Sequence, residues 1–222
     1  MTVLKDFALE LDRTEVRRLI QQRRERLPDA WLDAVERAVD EAVALVQPAI
    51  AYDVFPVTAA EPERLIVGEG QALESPVVAS LFRDAPEVVL MVFTIGRALE
   101  ERVAALGTAG DYPAAFALDA TGSMMLGKAG EVGYRIIEEM AKGKATKASI
   151  PLNPGTSHWP MSGQRLVAKL VRAGEIGVEA KESGMLSPFK SIAFAVALGD
   201  HVLTPAEGSS CDYCERRDLC RL

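Results

Sequence analysis

Cysteine is almost missing from this chain of 222 residues. There are three, Cys211, Cys214 and Cys220, and all fall within the last twelve positions. An odd count gathered at one end speaks against a disulfide framework. The first residues carry Lys5, Asp6, Glu10 and Asp12 instead of a secretion signal, and a cytoplasmic protein is expected. Histidine is scarcer still: His158 and His201 are the two present, with no readable spacing to a serine or cysteine that would make a nucleophile–base pair. A phosphate-cradling Gly-Lys-Ser/Thr loop is absent. No apolar run approaches the roughly 18 residues of a membrane span. Basic balance is lacking as well, since a net charge of −7 argues against nucleic acid as a partner.

What is present is material for one large core. The chain is 49% hydrophobic, and nothing in its patterning demands two domains. Asp12 stands where it would cap a first helix whose body, Arg17 to Arg24, is basic. Pro28 opens a second helix, with Trp31, Val35, Ala38, Val39, Ala42 and Val46 down one face. Ile50–Phe55 and Leu65–Val67 read as strands, and Ser75-Pro76 starts a short helix to Phe82. Glu87–Gly96 is a continuous apolar, β-branched run, predicting a buried central strand, and Arg97–Leu106 continues as a helix. Pro113–Met140 reads as one long helix with unusually many small residues, Gly122, Gly127, Gly130 and Gly133 among them. Each helical glycine costs up to about 1 kcal/mol relative to alanine. Close approach of a sheet, or of a flat ligand, would offset that cost.

The densest stretch is 149–198. Pro151, Pro154 and Pro160 stiffen a turn around Gly155, and Ser162 begins a helix that Gly174 would stop. Ile176, Val178 and Ala180 alternate as a strand. Ile192, Phe194, Val196 and Leu198 alternate as another, separated by Ser191, Ala193, Ala195 and Ala197. Two loops here are polar: Asn153, Thr156, Ser157 and His158 in one, Lys181, Glu182, Ser183 and Lys190 in or beside the other. Spacing alone is compatible with ordinary surface loops.

Pro154-Gly155, Trp159-Pro160, Ile176-Gly177-Val178, Glu182-Ser183-Gly184-Met185, Pro188 and Lys190-Ser191, in that order, resemble the reactivation domain of cobalamin-dependent methionine synthase and its standalone relatives. Thr94-Ile95-Gly96 with Leu99-Glu100, and Asp119-Ala120-Thr121-Gly122-Ser123, are similar to the same family. The resemblance implies an α+β fold: a single domain with a twisted antiparallel sheet flanked by helices, like the methionine synthase activation domain. Strands are expected near 87–95, 176–181 and 190–198. It also implies S-adenosylmethionine held at the Pro-Gly turn, beside the corrinoid of a partner. Asn153, Gly155, Thr156, Glu182, Ser183 and Met185 are the cofactor-binding residues expected to converge on one cleft. Three positions depart from the family: Pro151 replaces an arginine, Thr156 a tyrosine and Gly127 a glutamate.

The domain is expected over 1–207, including helices at 12–47, followed by a Cys-rich metal-binding tail at 208–222. Cys-x2-Cys-x5-Cys among charged residues fits a metal better than packing, because free cysteines otherwise scatter through a core. Cys211, Cys214 and Cys220 are the expected ligands, of an iron–sulfur cluster or alternatively of zinc. Two functions follow. One is an activator or auxiliary protein of a corrinoid-dependent methyltransferase system, with a corrinoid-binding protein or corrinoid methyltransferase and a redox partner, and no membrane or nucleic acid. The other is a non-catalytic docking module with a zinc-stabilised tail that has lost S-adenosylmethionine.

Overall fold

The computed structural model describes residues 1–22, 29–156, 158–215 and 217. Pro28, Ser157 and Cys220 lie outside these residues, as do the side chains of Trp31 and of most of the basic Arg17–Arg24 run. The described elements are β1 (Thr2–Lys5), α1 (Arg13–Gln22), α2 (Asp29–Leu45), β2 (Ala49–Ala60), β3 (Arg64–Val67), β4 (Gln71–Glu74), α3 (Pro76–Phe82) and β5 (Glu87–Thr94). After them come α4 (Ala98–Thr108), α5 (Tyr112–Gly143), β6 (Lys147–Ala148), α6 (Gly163–Leu170), β7 (Glu179–Ala180), β8 (Leu186–Ser187) and β9 (Ser191–Gly199).

One antiparallel sheet runs β4-β3-β2-β5-β9-β6, with β1 beside the first half of β2. The central strand β5 is buried along its length after Glu87, as its unbroken apolar run requires. Its two faces enter different cores. Val89, Met91 and Phe93 pack with α2, α4 and α5, while Val88, Leu90 and Val92 pack with α3, α6 and the 150–178 segment. β9 divides the same way. Phe194, Val196 and Leu198 face the long helix, and Ala193, Ala195 and Ala197 face the layer containing Trp159 and Val167.

The glycines of α5 are partly explained by this layering. A Cβ on Gly133 would sit 2.5 Å from Met91 Sδ, and one on Gly122 would sit 2.6 Å from Leu99 Cδ2. Gly127, in contrast, has nothing within 4 Å of where a Cβ would stand. None of the described helices is long and apolar enough to cross a membrane.

The structure corrects three local expectations. Residues 176–181 are not a strand of the main sheet: Ala173–Ile176 is a 3₁₀ turn, and Glu179–Ala180 pairs only with β8 in a separate two-stranded hairpin. Arg172 and Gly177 are both left-handed (φ 50° and 71°), so the chain cannot stay extended between them. The alternating burial of Ile176 and Val178 comes from this turn tucking into the core. The residue that reverses the chain after α6 is therefore Arg172 instead of Gly174. Ser162 has helical angles and makes no side-chain cap.

Candidate functional site

The Pro-rich turn is laced to the edge of β9. Leu152 exchanges two backbone hydrogen bonds with Ala195 (3.0 and 2.9 Å), and Asn153 Nδ2 donates to Ala193 O at 3.2 Å. Gly155, at φ +94°, lets its N–H reach Trp159 O (2.8 Å), and Gln164 Nε2 donates to Pro154 O (3.0 Å). Ser75 ties this turn to α3, because its hydroxyl donates to His158 O (2.6 Å) and accepts from Val78 N (3.0 Å).

Thr156 Oγ1 donates its one proton to Asn153 O at 2.7 Å. At 3.1 Å from that oxygen, His158 Nε2 must therefore be the donor, which leaves Nδ1 bare. Nδ1 is buried and finds no hydrogen-bond partner among the described residues. Burial lowers the His158 pKa from its ordinary value, because a charge there would be desolvated and unpaired. The unfolded chain then takes up the proton first, so stability is complete above about pH 6.5 and falls as pH drops below it. Urea midpoints measured from pH 8 to pH 5 should show this decline, and His158→Gln should remove part of it. Identical slopes in the two proteins would refute the assignment.

The turn and the loop that carry the six expected binding residues both reach Met161. A Cβ on Gly155 would meet Met161 Sδ at 3.1 Å, and one on Gly184 would meet Met161 O at 2.6 Å, so the 153–156 turn and the 182–185 loop lie against the same residue. Thr156, Glu182, Ser183 and Met185 are exposed, and Asn153 is half-buried. Of the six, Asn153 alone lines the cleft described next.

That cleft, about 580 Å³, opens between α5, the Pro151–Asn153 turn and β9. Its floor is Phe93, Ile192 and Phe194, with the two phenylalanine rings tilted 59° at a centroid distance of 5.6 Å. Gly130 lies against this floor; a Cβ there would stand 3.0 Å from Phe93 Cζ. The rim carries Glu131, Tyr134, Arg135 and Glu138 from α5, with Pro205 opposite. Tyr134 Oη donates to Ser149 O at 2.9 Å, and burial, helped by the Glu138 charge, pushes its pKa up to about 12, so it stays a donor. Sequence reasoning missed this rim. The only signal was helical spacing, 131 with 135 and 134 with 138, which also describes a solvated face. A larger groove, about 710 Å³, runs between α6 and β7. It has no aromatic floor, whereas an apolar floor and a polar rim converge in the smaller cleft, which makes that cleft the candidate site.

A different cluster gathers the other motif residues. Lys190, whose side chain is 6% exposed, places Nζ 2.9 Å from Asp119 Oδ1 and 2.9 Å from Ser123 Oγ. Its stem passes Gly122, where a Cβ would lie 3.0 Å from Lys190 Cε. Ser191 Oγ donates to Pro188 O (2.7 Å) and lies 2.9 Å from Thr94 Oγ1, which also accepts from Gly96 N (3.1 Å). Glu100 accepts from Phe189 N at 2.7 Å. These residues hold the ends of β5 and β9 to α4 and α5.

No family model matches the chain, and no curated protein matches it. Among solved structures, a crystal structure of the MetH reactivation domain bound to AdoHcy matches over 91% of this chain and 79% of that one, with a TM-score of 0.61 and 12% identity. The fold is that of the MetH reactivation domain. This is the architecture the sequence motifs implied. At 12% identity the likeness carries the fold, and the chemistry of the cleft rests on the residues above.

The described part of the tail forms a 3₁₀ turn at Ser210–Tyr213, closed by reciprocal Ser209–Asp212 capping. Cys214 N donates to Cys211 O (3.1 Å), and Arg217 pairs with Asp212 (2.8 Å). Cys211 lies within the turn and is exposed, and the half-buried Cys214 is the extended residue that ends it. Among the described residues no group of three His, Cys, Asp or Glu side chains is placed to hold a metal, and Cys220 lies outside them.

Proposed function

We propose that this protein is an activator of a corrinoid-dependent methyltransferase system, taking S-adenosylmethionine or S-adenosylhomocysteine in the cleft beside α5. The observation that carries the reading is the cleft itself, bounded by the Pro151–Asn153 turn in a chain whose fold matches a domain bound to AdoHcy. Its volume lies in the range of small-molecule sites, and its aromatic floor suits a flat base. S-adenosylmethionine supplies a methyl group for transfer to a reduced corrinoid carried by a partner protein in the cytosol. This chain's residues bind and orient: Phe93 and Phe194 form the apolar bed. The Asn153 amide is held by Ala193 O and keeps its own oxygen for a ligand. Gly155 shapes the turn, its N–H held by Trp159 O. Glu182, Ser183 and Met185, exposed on a loop that meets the turn's neighbour Met161, are assigned to the partner's corrinoid in this reading.

Cys211 and Cys214, joined by a backbone hydrogen bond where the 3₁₀ turn ends, would supply two ligands of an iron–sulfur cluster, with Cys220 as the third. Such a centre would accept low-potential electrons from a redox partner. The docking module with a zinc tail is the second reading, favoured by Pro151, Thr156 and Gly127, which lack the side chains of the family.

Calorimetric titration tests the first reading: S-adenosylhomocysteine should bind with one-to-one stoichiometry, and Phe194→Ala should abolish binding. Protein purified without oxygen should be brown and contain iron and sulfide, and Cys211→Ala should bleach it. Colourless protein holding one equivalent of zinc, with no S-adenosyl ligand bound, would establish the docking module instead.

A further inference from the structure

The α5 rim of the cleft carries charges in an order the activator reading does not yet use. Arg135 is the one cation lining the cleft among the described residues. It makes no ion pair with another described residue. Glu131 is already held by Lys128 at 3.1 and 3.2 Å, and Lys142, one turn beyond Glu138, is held by Glu139 at 2.7 Å. Glu138 is in no ion pair with a described residue, and its charge is felt at the Tyr134 hydroxyl and, more weakly than that of Glu139, at Lys142. A guanidinium and a carboxylate in no ion pair among the described residues, three residues apart on one helix face, thus stand over an apolar bed of Phe93 and Phe194.

We propose that Arg135 and Glu138 read the amino-acid end of the ligand: Arg135 takes the α-carboxylate as a fork, and Glu138 takes the α-ammonium. The opposite charges match a zwitterion, and a plain nucleoside or a nucleotide phosphate would leave one of them unanswered. This assignment rests on reading the cleft as an S-adenosyl site, and it gives the carboxylate-binding role to the helix opposite Pro151.

The test compares S-adenosylhomocysteine with 5′-methylthioadenosine, which has the same adenosyl body and no amino-acid end, by calorimetry on the full chain. The wild type should bind S-adenosylhomocysteine about tenfold or more tightly over methylthioadenosine. Arg135→Ala and Glu138→Gln should each lose about tenfold in affinity for S-adenosylhomocysteine and leave methylthioadenosine unchanged. Arg135→Lys should fall between, since an ammonium cannot make the fork. Both side chains are exposed at the rim, so circular dichroism and the urea midpoint should not move. In the Arg135→Ala background, Pro151→Arg should restore part of the loss from the other wall of the cleft. If both ligands bind and neither rim variant changes the S-adenosylhomocysteine affinity, the assignment is overturned and the adenosyl site stands. If neither ligand binds the wild type, the site reading and the assignment fall together.

Discussion

Trp159→Ala should lower the unfolding free energy by about 3–5 kcal/mol, the largest effect expected of any single substitution in this protein. The indole is 1% exposed and belongs to the core between the sheet and α6, with Leu152, Val167 and the alanine face of β9. That face is built from small side chains, so no neighbour can grow into the space an indole leaves. Its neighbour Gly163 is fitted to the ring: a Cβ there would lie 2.5 Å from Trp159 Nε1. Trp159→Phe should cost much less than Trp159→Ala. It keeps most of the buried surface and removes a buried N–H that has no partner among the described residues. Because Gly155 N is held by Trp159 O, loosening the tryptophan should also loosen the turn, and ligand affinity should fall with stability. Urea unfolding followed by circular dichroism measures the first effect. A loss below about 1 kcal/mol for the alanine variant would show that the turn is not anchored through its indole.

The second large effect is an asymmetry. Asp119→Ala should cost about 2–4 kcal/mol, whereas Lys190→Met should stay within about 1 kcal/mol of the wild type. The reason is unequal burial across one ion pair: the Lys190 side chain is 6% exposed and that of Asp119 is 55%. Removing the carboxylate leaves a buried ammonium with Ser123 as its remaining neutral partner. Removing the ammonium leaves a carboxylate that water already reaches, and a methionine keeps the stem packed against Gly122. Equal losses in the two variants, or a larger one for Lys190→Met, would contradict this account. The cluster is thus read as a junction that locks α5 to β9, and Asp119→Ala should lower ligand affinity only as far as it lowers stability.

The sequence and the structure agree best where burial is uniform along an element. The run from Glu87 announces a central strand because no polar residue interrupts it, and β5 is that strand. The long helix was legible from Pro113 to Met140, and it extends from Tyr112 to Gly143. The alternation at 192–198 revealed both the strand and its division into a bulky and a small face. Short edge strands were not legible. β1, β4 and β6 have two to four residues each, too few for a period to register, and they exist because a longer neighbour offers them hydrogen bonds. The reading of 176–181 failed for a related reason. An alternating pattern records which residues are buried, and a 3₁₀ turn between two left-handed residues buried Ile176 and Val178 with the same spacing.

The candidate site divides along the same line. The Pro-rich turn, with Asn153, Gly155 and the Trp159-Pro160 pair, is a local feature, since prolines and glycine restrict or free φ whatever surrounds them. The cysteine tail is local too, being a spacing within one short stretch. By itself, then, the sequence determined the layered α+β architecture, the turn and the cysteine triplet. The tertiary structure decided what the turn faces. It brought α5 and β9 together so that Phe93 and Phe194 floor a cleft, and it set Arg135 and Glu138 along the lining of that cleft. It also decided that Lys190 is buried on Asp119, although Lys190 lies 71 residues further along the chain (190 minus 119). The physical reason is range: backbone preference and periodicity act over a few residues, whereas a cleft or a buried ion pair depends on which distant segments the hydrophobic cores bring together.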